Sequence, residues 1–425
     1  METTADLTLD APAAPSRAAL WFIFATVTLD MLAFGIIGPV LPKLVLGFVG
    51  GEVARASEVF GIFATAWAVM QFFCSPLLGA LSDRFGRRPV IVLSSLGLGL
   101  DYVVMALAPN LAWLFIGRVV SGITSASVAT ASAYIADVTP PEKRAGAFGM
   151  IGSAFGLGFI LGPAIGGLLG GADPRLPFWV SAGFSLLNAA FGFFVLRESL
   201  PASRRAAFSW QRANPLGSLA LLRSHHELFG LASVTFLSNL AGIVMPTIWV
   251  LYVAYRYGWD TRAVGLSLAA VGVTSMALGP FTHAIVKRLG ERRALLAGLV
   301  SAASGTALMG LGPTGWMFGL GILAMSLWGL APSATQSLMT RRVSPSEQGQ
   351  LQGALGSLRG IATLVGPGMF SLTFAASIGV LRSWNLPGAA WLLACVLLIA
   401  AMSLAYAVTR SSPAGSGSEQ AAPGY

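Results

Sequence analysis

The chain alternates between long apolar runs and short polar breaks. Twelve runs fall at 18–42, 58–81, 89–107, 112–136, 145–170, 177–196, 227–253, 263–284, 294–312, 315–339, 350–379 and 387–409. Each is close to the roughly 20 residues that cross a bilayer as a helix. A backbone in lipid must satisfy its own hydrogen bonds, and a helix does so within one segment. The pattern therefore predicts an all-α membrane protein of twelve transmembrane helices, with both termini on one side. One longer polar stretch, 197–226, divides the runs six and six. The expected organisation is a tail at 1–17, a six-helix bundle at 18–196, a linker at 197–226, a second bundle at 227–409 and a tail at 410–425. The first tail is rich in Ala, Pro and acids (Glu2, Asp6, Asp10) and lacks the basic start of a signal peptide. Both tails read as disordered.

Composition agrees with this picture: 55% of the 425 residues are hydrophobic and 10% are charged, against about 25% charged in a soluble domain. The net charge of +9 would suggest a nucleic-acid partner if the basic residues formed a patch, and they do not. Of the 26 Lys and Arg residues, 18 lie on the termini and even-numbered loops and 6 on the odd-numbered loops, with Arg118 and Arg359 inside spans. That bias predicts cytoplasmic termini and a cytoplasmic linker, and no nucleic-acid partner. Cys74 and Cys395 sit in apolar runs, and His225, His226 and His283 form no ligand cluster, so no metal site is expected. None of the three lysines follows a glycine, which excludes a G-K-[ST] phosphate loop and with it an ATP-driven pump. The spans hold no nucleophile–base pair, so the chain is not read as an enzyme.

The two halves repeat. Arg84-Phe85-Gly86-Arg87-Arg88 returns as Arg288-Leu289-Gly290-Glu291-Arg292, Thr139-Pro140-Pro141-Glu142 as Ser344-Pro345-Ser346-Glu347, and Gly162-Pro163 as Gly366-Pro367, each about 204 residues later. An even number of helices per half makes the repeats parallel, predicting two six-helix bundles around a central cavity.

Several residues stand out against this background. Gly79, Asp83, Arg84, Gly86, Arg87 and Arg88 fill the tight loop between helices 2 and 3, where Gly86 permits the turn and Asp83 can pair with a cation. The plain alternative is an ordinary basic loop. In helix 5, Gly158, Gly162 and Gly166 recur every four residues on one face, with Pro163 and Gly167 beside them. Such a face lets another helix approach closely, whether for function or for packing alone. Arg118 lies inside helix 4, and an intramembrane charge is functional by default unless it snorkels to the surface. Asp30 in helix 1 and Asp101 in helix 3 are also intramembrane, and with Arg118 and Arg359 they make a formally neutral set. Burial and a nearby arginine pull a carboxyl pKa in opposite directions. A carboxyl between those pulls can exchange a proton, or it can be a static partner of an arginine. Asp101 and Arg118 fall about 14 and 11 Å from the same turn in antiparallel neighbours, so an ion pair between them is feasible. Gln71, Asn239 and Gln336 are polar residues at membrane depth, suited to substrate contact or to helix–helix hydrogen bonds.

The residues 79–89 resemble the signature loop of the major facilitator superfamily, and the helix 5 glycines resemble the signature of its proton-driven exporters. Leu114–Gly122 around Arg118 resembles the proton-coupling motif of drug exporters. Leu29-Asp30, Gly38–Pro42, Gln71–Pro76, Leu100–Tyr102, Trp259-Asp260, Gly265–Leu268 and Gln348–Gly353 are similar to the tetracycline/proton antiporters. The likeness covers roughly 18–410 and is denser in the first half. It implies a monomeric secondary exporter in a bacterial inner membrane, exchanging protons for an amphipathic drug-like substrate such as tetracycline by alternating access. The proton is the coupling ion and no other cofactor is implied. Asp30, Asp101 and Arg118 would couple protons, while Asp30, Gln71, Asn239, Gln336 and Arg359 would meet substrate. The partner of Asp83 would lie near the start of helix 11, around Gly349–Gly356. The chain departs from the antiporters at Ser275, where they carry a histidine, and at Val300–Ser304, where they carry an acid. In that family those positions are linked to proton coupling and substrate handling, and the departures count against tetracycline as the substrate rather than against export. An importer of a small metabolite with the same fold is the alternative, and the glycine pattern of helix 5 argues against it.

Overall fold

The computed structural model describes residues 17–125, 127–208, 226–344 and 347–410. The two tails and most of the 197–226 linker lie outside the described residues. Within them are twelve helices long and apolar enough to cross a membrane, and no strand. They are α1 (Leu20–Phe48), α2 (Val53–Phe85), α3 (Arg87–Leu107), α4 (Leu111–Val138), α5 (Glu142–Ala172), α6 (Leu176–Val195), α7 (Leu228–Tyr257), α8 (Thr261–Leu289), α9 (Glu291–Leu311), α10 (Gly315–Thr340), α11 (Gln348–Ile378) and α12 (Ala389–Arg410). The chain is a multi-pass membrane protein, and the twelve expected runs each find a helix.

The boundaries follow local chemistry. Asn110 and Asp260 accept hydrogen bonds from the first free backbone N–H groups of α4 and α8. Gly86 and Gly290 have φ of 109° and 78°, and each is followed at once by a 21-residue helix, α3 or α9. The repeat read from the sequence is thus a repeat of backbone geometry at the same offset. Four helices are interrupted. α1 breaks at residues 38–40, beside Gly38 and Pro39, α4 near Ser125, α7 at Ile243, and α10 has a 3-10 turn over Ser326–Gly329. The proline at 39 lacks the N–H that would carry the ladder on.

The halves meet along two seams. α2 packs on α11: Ser57 Oγ donates to Ser371 O at 3.0 Å, Gly61 lies against Ser371, and Gly360 lies against Phe72. α5 packs on α8: Gly167 and Gly265 touch backbone to backbone, and Gly272 lies against Phe159 and Ile160. Lys43 Nζ adds a bridge to Trp259 O (3.4 Å) and Thr261 Oγ1 (3.2 Å). These contacts crowd toward one end, that of the α1–α2 and α7–α8 loops. Toward the other end, a methyl group added at Gly79, Gly149, Gly279 or Gly349 would meet nothing within 4 Å. The molecule is closed at the first end and opens toward the second, which carries the Gly86 and Gly290 turns.

Candidate functional site

The first bundle carries a polar interior. Asp30 on α1 is 4% exposed, and its Oδ1 accepts from Asn188 Nδ2 of α6 at 2.9 Å. The same amide reaches Thr26 O and Ser95 Oγ at 3.2 and 3.3 Å. Asn188 and Ser95 were not singled out from sequence, although an asparagine in an apolar run was the available signal. Asp101 on α3 is 2% exposed, with the Ser121 hydroxyl of α4 as its polar side-chain neighbour. It lies against Gly117 on α4, where an added Cβ would come within 2.7 Å of Asp101 Oδ1. The next residue, Arg118, is 9% exposed, donates to Ser121 Oγ at 3.0 Å, and acts on Asp101 electrostatically. The acid and the arginine are neighbours, as expected from their depths, and no ion pair closes between them. A buried ionised carboxylate is costly in a low dielectric unless cations and donors offset it, and at Asp101 those groups are Arg118 and Ser121.

Arg118 also borders a central cavity of about 340 Å³ between the halves, walled by Phe34, Phe60, Tyr102, Trp249 and Leu268. The wall is aromatic and aliphatic, which suits the body of an amphipathic ligand. Two further cavities have mixed walls that include polar side chains. One, of about 420 Å³, lies between α2 and α11 and is bordered by Gln71, Ser75 and Arg359. The other, of about 140 Å³, lies among α7, α9, α10 and α11 and is bordered by Asn239, Gln336, Gln352 and Arg359. Gln71 Nε2 donates to Ser125 Oγ at 3.1 Å. The structure therefore gathers four of the five expected substrate residues around two adjoining cavities. It places Asp30 elsewhere, inside the first bundle and bordering neither of them.

The signature loop is a closed network. Arg87 reaches Asp83 Oδ1 (2.5 Å), Ser82 Oγ (2.7 Å) and Asp137 Oδ2 of α4 (3.0 Å). Glu198, just after α6, accepts from the backbone N–H groups of Arg87 and Arg88 at 2.8 and 3.3 Å, capping α3. Arg88 donates to Phe193 O. The expected partner of Asp83 near the start of helix 11 is corrected: its partner is Arg87, because the halves stand apart at this end. Asp137 and Glu198 were not anticipated, and only an acid directly after an apolar run hinted at Glu198. Arg84 remains near the surface, over the Phe85 ring.

The α5 glycines pack inside the first bundle. Gly158 lies against Met31, Gly162 against Gly35 and Gly166 against Ile36, all on α1. Pro163 adjoins Gly35, and Gly167 turns to the second bundle. One stripe brings α5 onto α1, and the next residue joins the halves.

Comparison with known proteins fits this geometry. The model of the Major Facilitator Superfamily matches residues 23–367 and 231–424. The class C tetracycline resistance protein of Escherichia coli is 38% identical over 385 residues, covering 90% of this chain and 95% of the relative. The class G tetracycline resistance protein of Vibrio anguillarum is 38% identical, covering 88% and 93%. Among solved structures, the human organic anion transporter MFSD10 (TETRAN) is similar with a TM-score of 0.69 at 25% identity, covering 92% of this chain and 99% of that one.

Proposed function

The chain belongs to the major facilitator superfamily, and we propose that this transporter exports an amphipathic, drug-like small molecule in exchange for protons. Tetracycline is the first compound to test, because the relatives that match over most of the chain are named for resistance to it. One observation carries the proton coupling: Asp101 is buried beside Arg118, which borders the central cavity, and no ion pair closes between them.

The excess of basic residues at the open end makes that end cytoplasmic. Substrate enters there from the inner face of a bacterial membrane. Its apolar body lies against Phe34, Phe60 and Trp249, and its polar edge meets Gln71, Asn239, Gln336 and Arg359. The α2–α11 and α5–α8 seams then open at the far end while the near ends close. Asp101 takes a proton from outside and delivers it inside on the return. Arg118 sets the field in which that exchange happens, and Asp30, held by Asn188, belongs to the same buried proton system. One chain, acting as a monomer, completes the cycle.

A pump-deficient bacterium expressing the chain, screened across drug classes, tests this reading. Resistance to at least one class should appear and should vanish in Asp101→Asn. Purified Asp101→Asn should still bind the drug in detergent, yet a pH gradient should no longer drive its accumulation in proteoliposomes. Wild-type proton-driven accumulation by both Asp30→Asn and Asp101→Asn would sink the mechanism.

A further inference from the structure

Two guanidiniums share one exposed ring where α12 ends. Arg292, the second residue of α9, has its Cζ 5.2 Å from the ring centroid of Tyr406. Arg410, the last residue of α12, has its Cζ 5.9 Å from the same centroid. Val396, Ile399, Ser403, Tyr406 and Arg410 are spaced by threes and fours, so they lie on one face of α12, and all are exposed. No residue of α12 borders the cavities between the halves, so this face meets the lipid. From Val396 to Tyr406 the helix rises about 15 Å, the depth of one leaflet's hydrocarbon. An aromatic at the end of such a stripe, with arginines beside it, stands at headgroup level.

The first half has the same layout with one addition. Arg88 is the second residue of α3, and its Cζ lies 5.7 Å from the ring centroid of Phe193. Phe193 stands as far into α6 as Tyr406 stands into α12. There the counter-charge is internal: Glu198 fills the corner of the Gly86 turn, where an added Cβ would strike its carboxylate. The matching corner at Gly290 is open, and an added Cβ there would meet nothing within 4 Å. At the offset that carries Leu176 onto Ala389, the place of Glu198 falls to Ser411, which has no charge.

We propose that Arg292 and Arg410 hold the phosphate of an anionic phospholipid, with an acyl chain along Val396 and Ile399. The lipid supplies in the second half the negative charge that Glu198 supplies in the first. The Tyr406 ring holds both guanidiniums by cation–π contact. Their forked N–H donors match phosphate oxygens, and basic sites at the cytoplasmic ends of spans are where anionic headgroups bind. The leaflet-long apolar stripe selects a lipid over free phosphate.

Native mass spectrometry of the purified full-length chain, titrated in detergent with dioleoylphosphatidylglycerol or dioleoylphosphatidylcholine, reads headgroup charge on identical acyl chains. The phosphatidylglycerol should bind about 30-fold more tightly, the effect of two arginines near a membrane surface. Arg292→Gln with Arg410→Gln should abolish that preference. Lys287→Gln with Arg288→Gln removes the same charge at the same end but away from the ring, and should retain it. Equal affinity for the two lipids in the wild type, or equal losses in the two double variants, would overturn the proposal. So would inorganic phosphate, if it raised the thermal midpoint as much as phosphatidylglycerol does. Should the first double variant fail to fold, Arg410→Gln alone, at the last residue of α12, should weaken phosphatidylglycerol about fivefold. Unchanged affinity there would refute the site.

Discussion

On the proposed alternating-access cycle, removal of the Lys43 ammonium should shift the balance toward opening of the end that is closed here. Lys43 projects from α1 of the first half and donates to Trp259 O at 3.4 Å and Thr261 Oγ1 at 3.2 Å in the second half, near the charge of Asp260. On that cycle both bonds would break when this end opens. They are long, and the group is half-buried, so together they are worth about 1–2 kcal/mol. Lys43→Met keeps the aliphatic stem and removes the ammonium. A differential energy of that size changes the ratio of two conformations about 5- to 30-fold. Spin labels at Gly47→Cys and Thr314→Cys, in a chain freed of Cys74 and Cys395, report the distance across this end. Both label sites are exposed. The ratio of the short- to the long-distance population should fall by that factor in Lys43→Met and recover in Lys43→Arg. Identical distance distributions in the wild type and Lys43→Met would refute the bridge as a latch.

Asp83→Asn removes one of three partners of Arg87, and Asp83 is 42% exposed, so stability should fall by less than about 1 kcal/mol. Transport rate should fall while ligand affinity in detergent stays at the wild-type value; loss of affinity with normal folding would contradict a role in switching. Gly162→Leu would place its Cβ 2.6 Å from Gly35 Cα and force α5 from α1, costing about 1–3 kcal/mol or more and lowering the thermal midpoint. Gly149→Ala, where an added methyl meets nothing, should leave that midpoint unchanged or raise it.

What the sequence made legible divides along physical lines. The twelve helices were legible because a bilayer imposes one length and one polarity on every span. The Gly86 and Gly290 turns were legible because a positive φ selects glycine. The nearness of Asp101 and Arg118 followed from rise per residue across a short loop. Asn188, Asp137 and Glu198 were not legible as partners: Asn188 meets Asp30 across 158 positions and Glu198 meets Arg87 across 111. No local pattern encodes such distances. The partner of Asp83 was misplaced for another reason. A transporter has at least two structures, and a motif names a residue without naming the state in which its contact forms. Asp30 shows the reverse case, an acid at the depth of the cavity whose rotation about α1 turns it into the bundle.

The repeat itself sharpens the question of charge. At the offset of 204 that relates α3 and α4 to α9 and α10, Asp101 corresponds to Gly305 and Arg118 to Ile322. The buried acid–base pair is therefore confined to the first half. The proton chemistry proposed for this transporter then falls on one half, while Arg359 of the second half borders the cavities assigned to cargo. Arg118→Gln should abolish accumulation driven by a pH gradient in proteoliposomes. Arg359→Gln should lower the rate without changing the number of protons moved per molecule of cargo. Lost coupling in Arg359→Gln beside intact coupling in Arg118→Gln would refute this division between the halves.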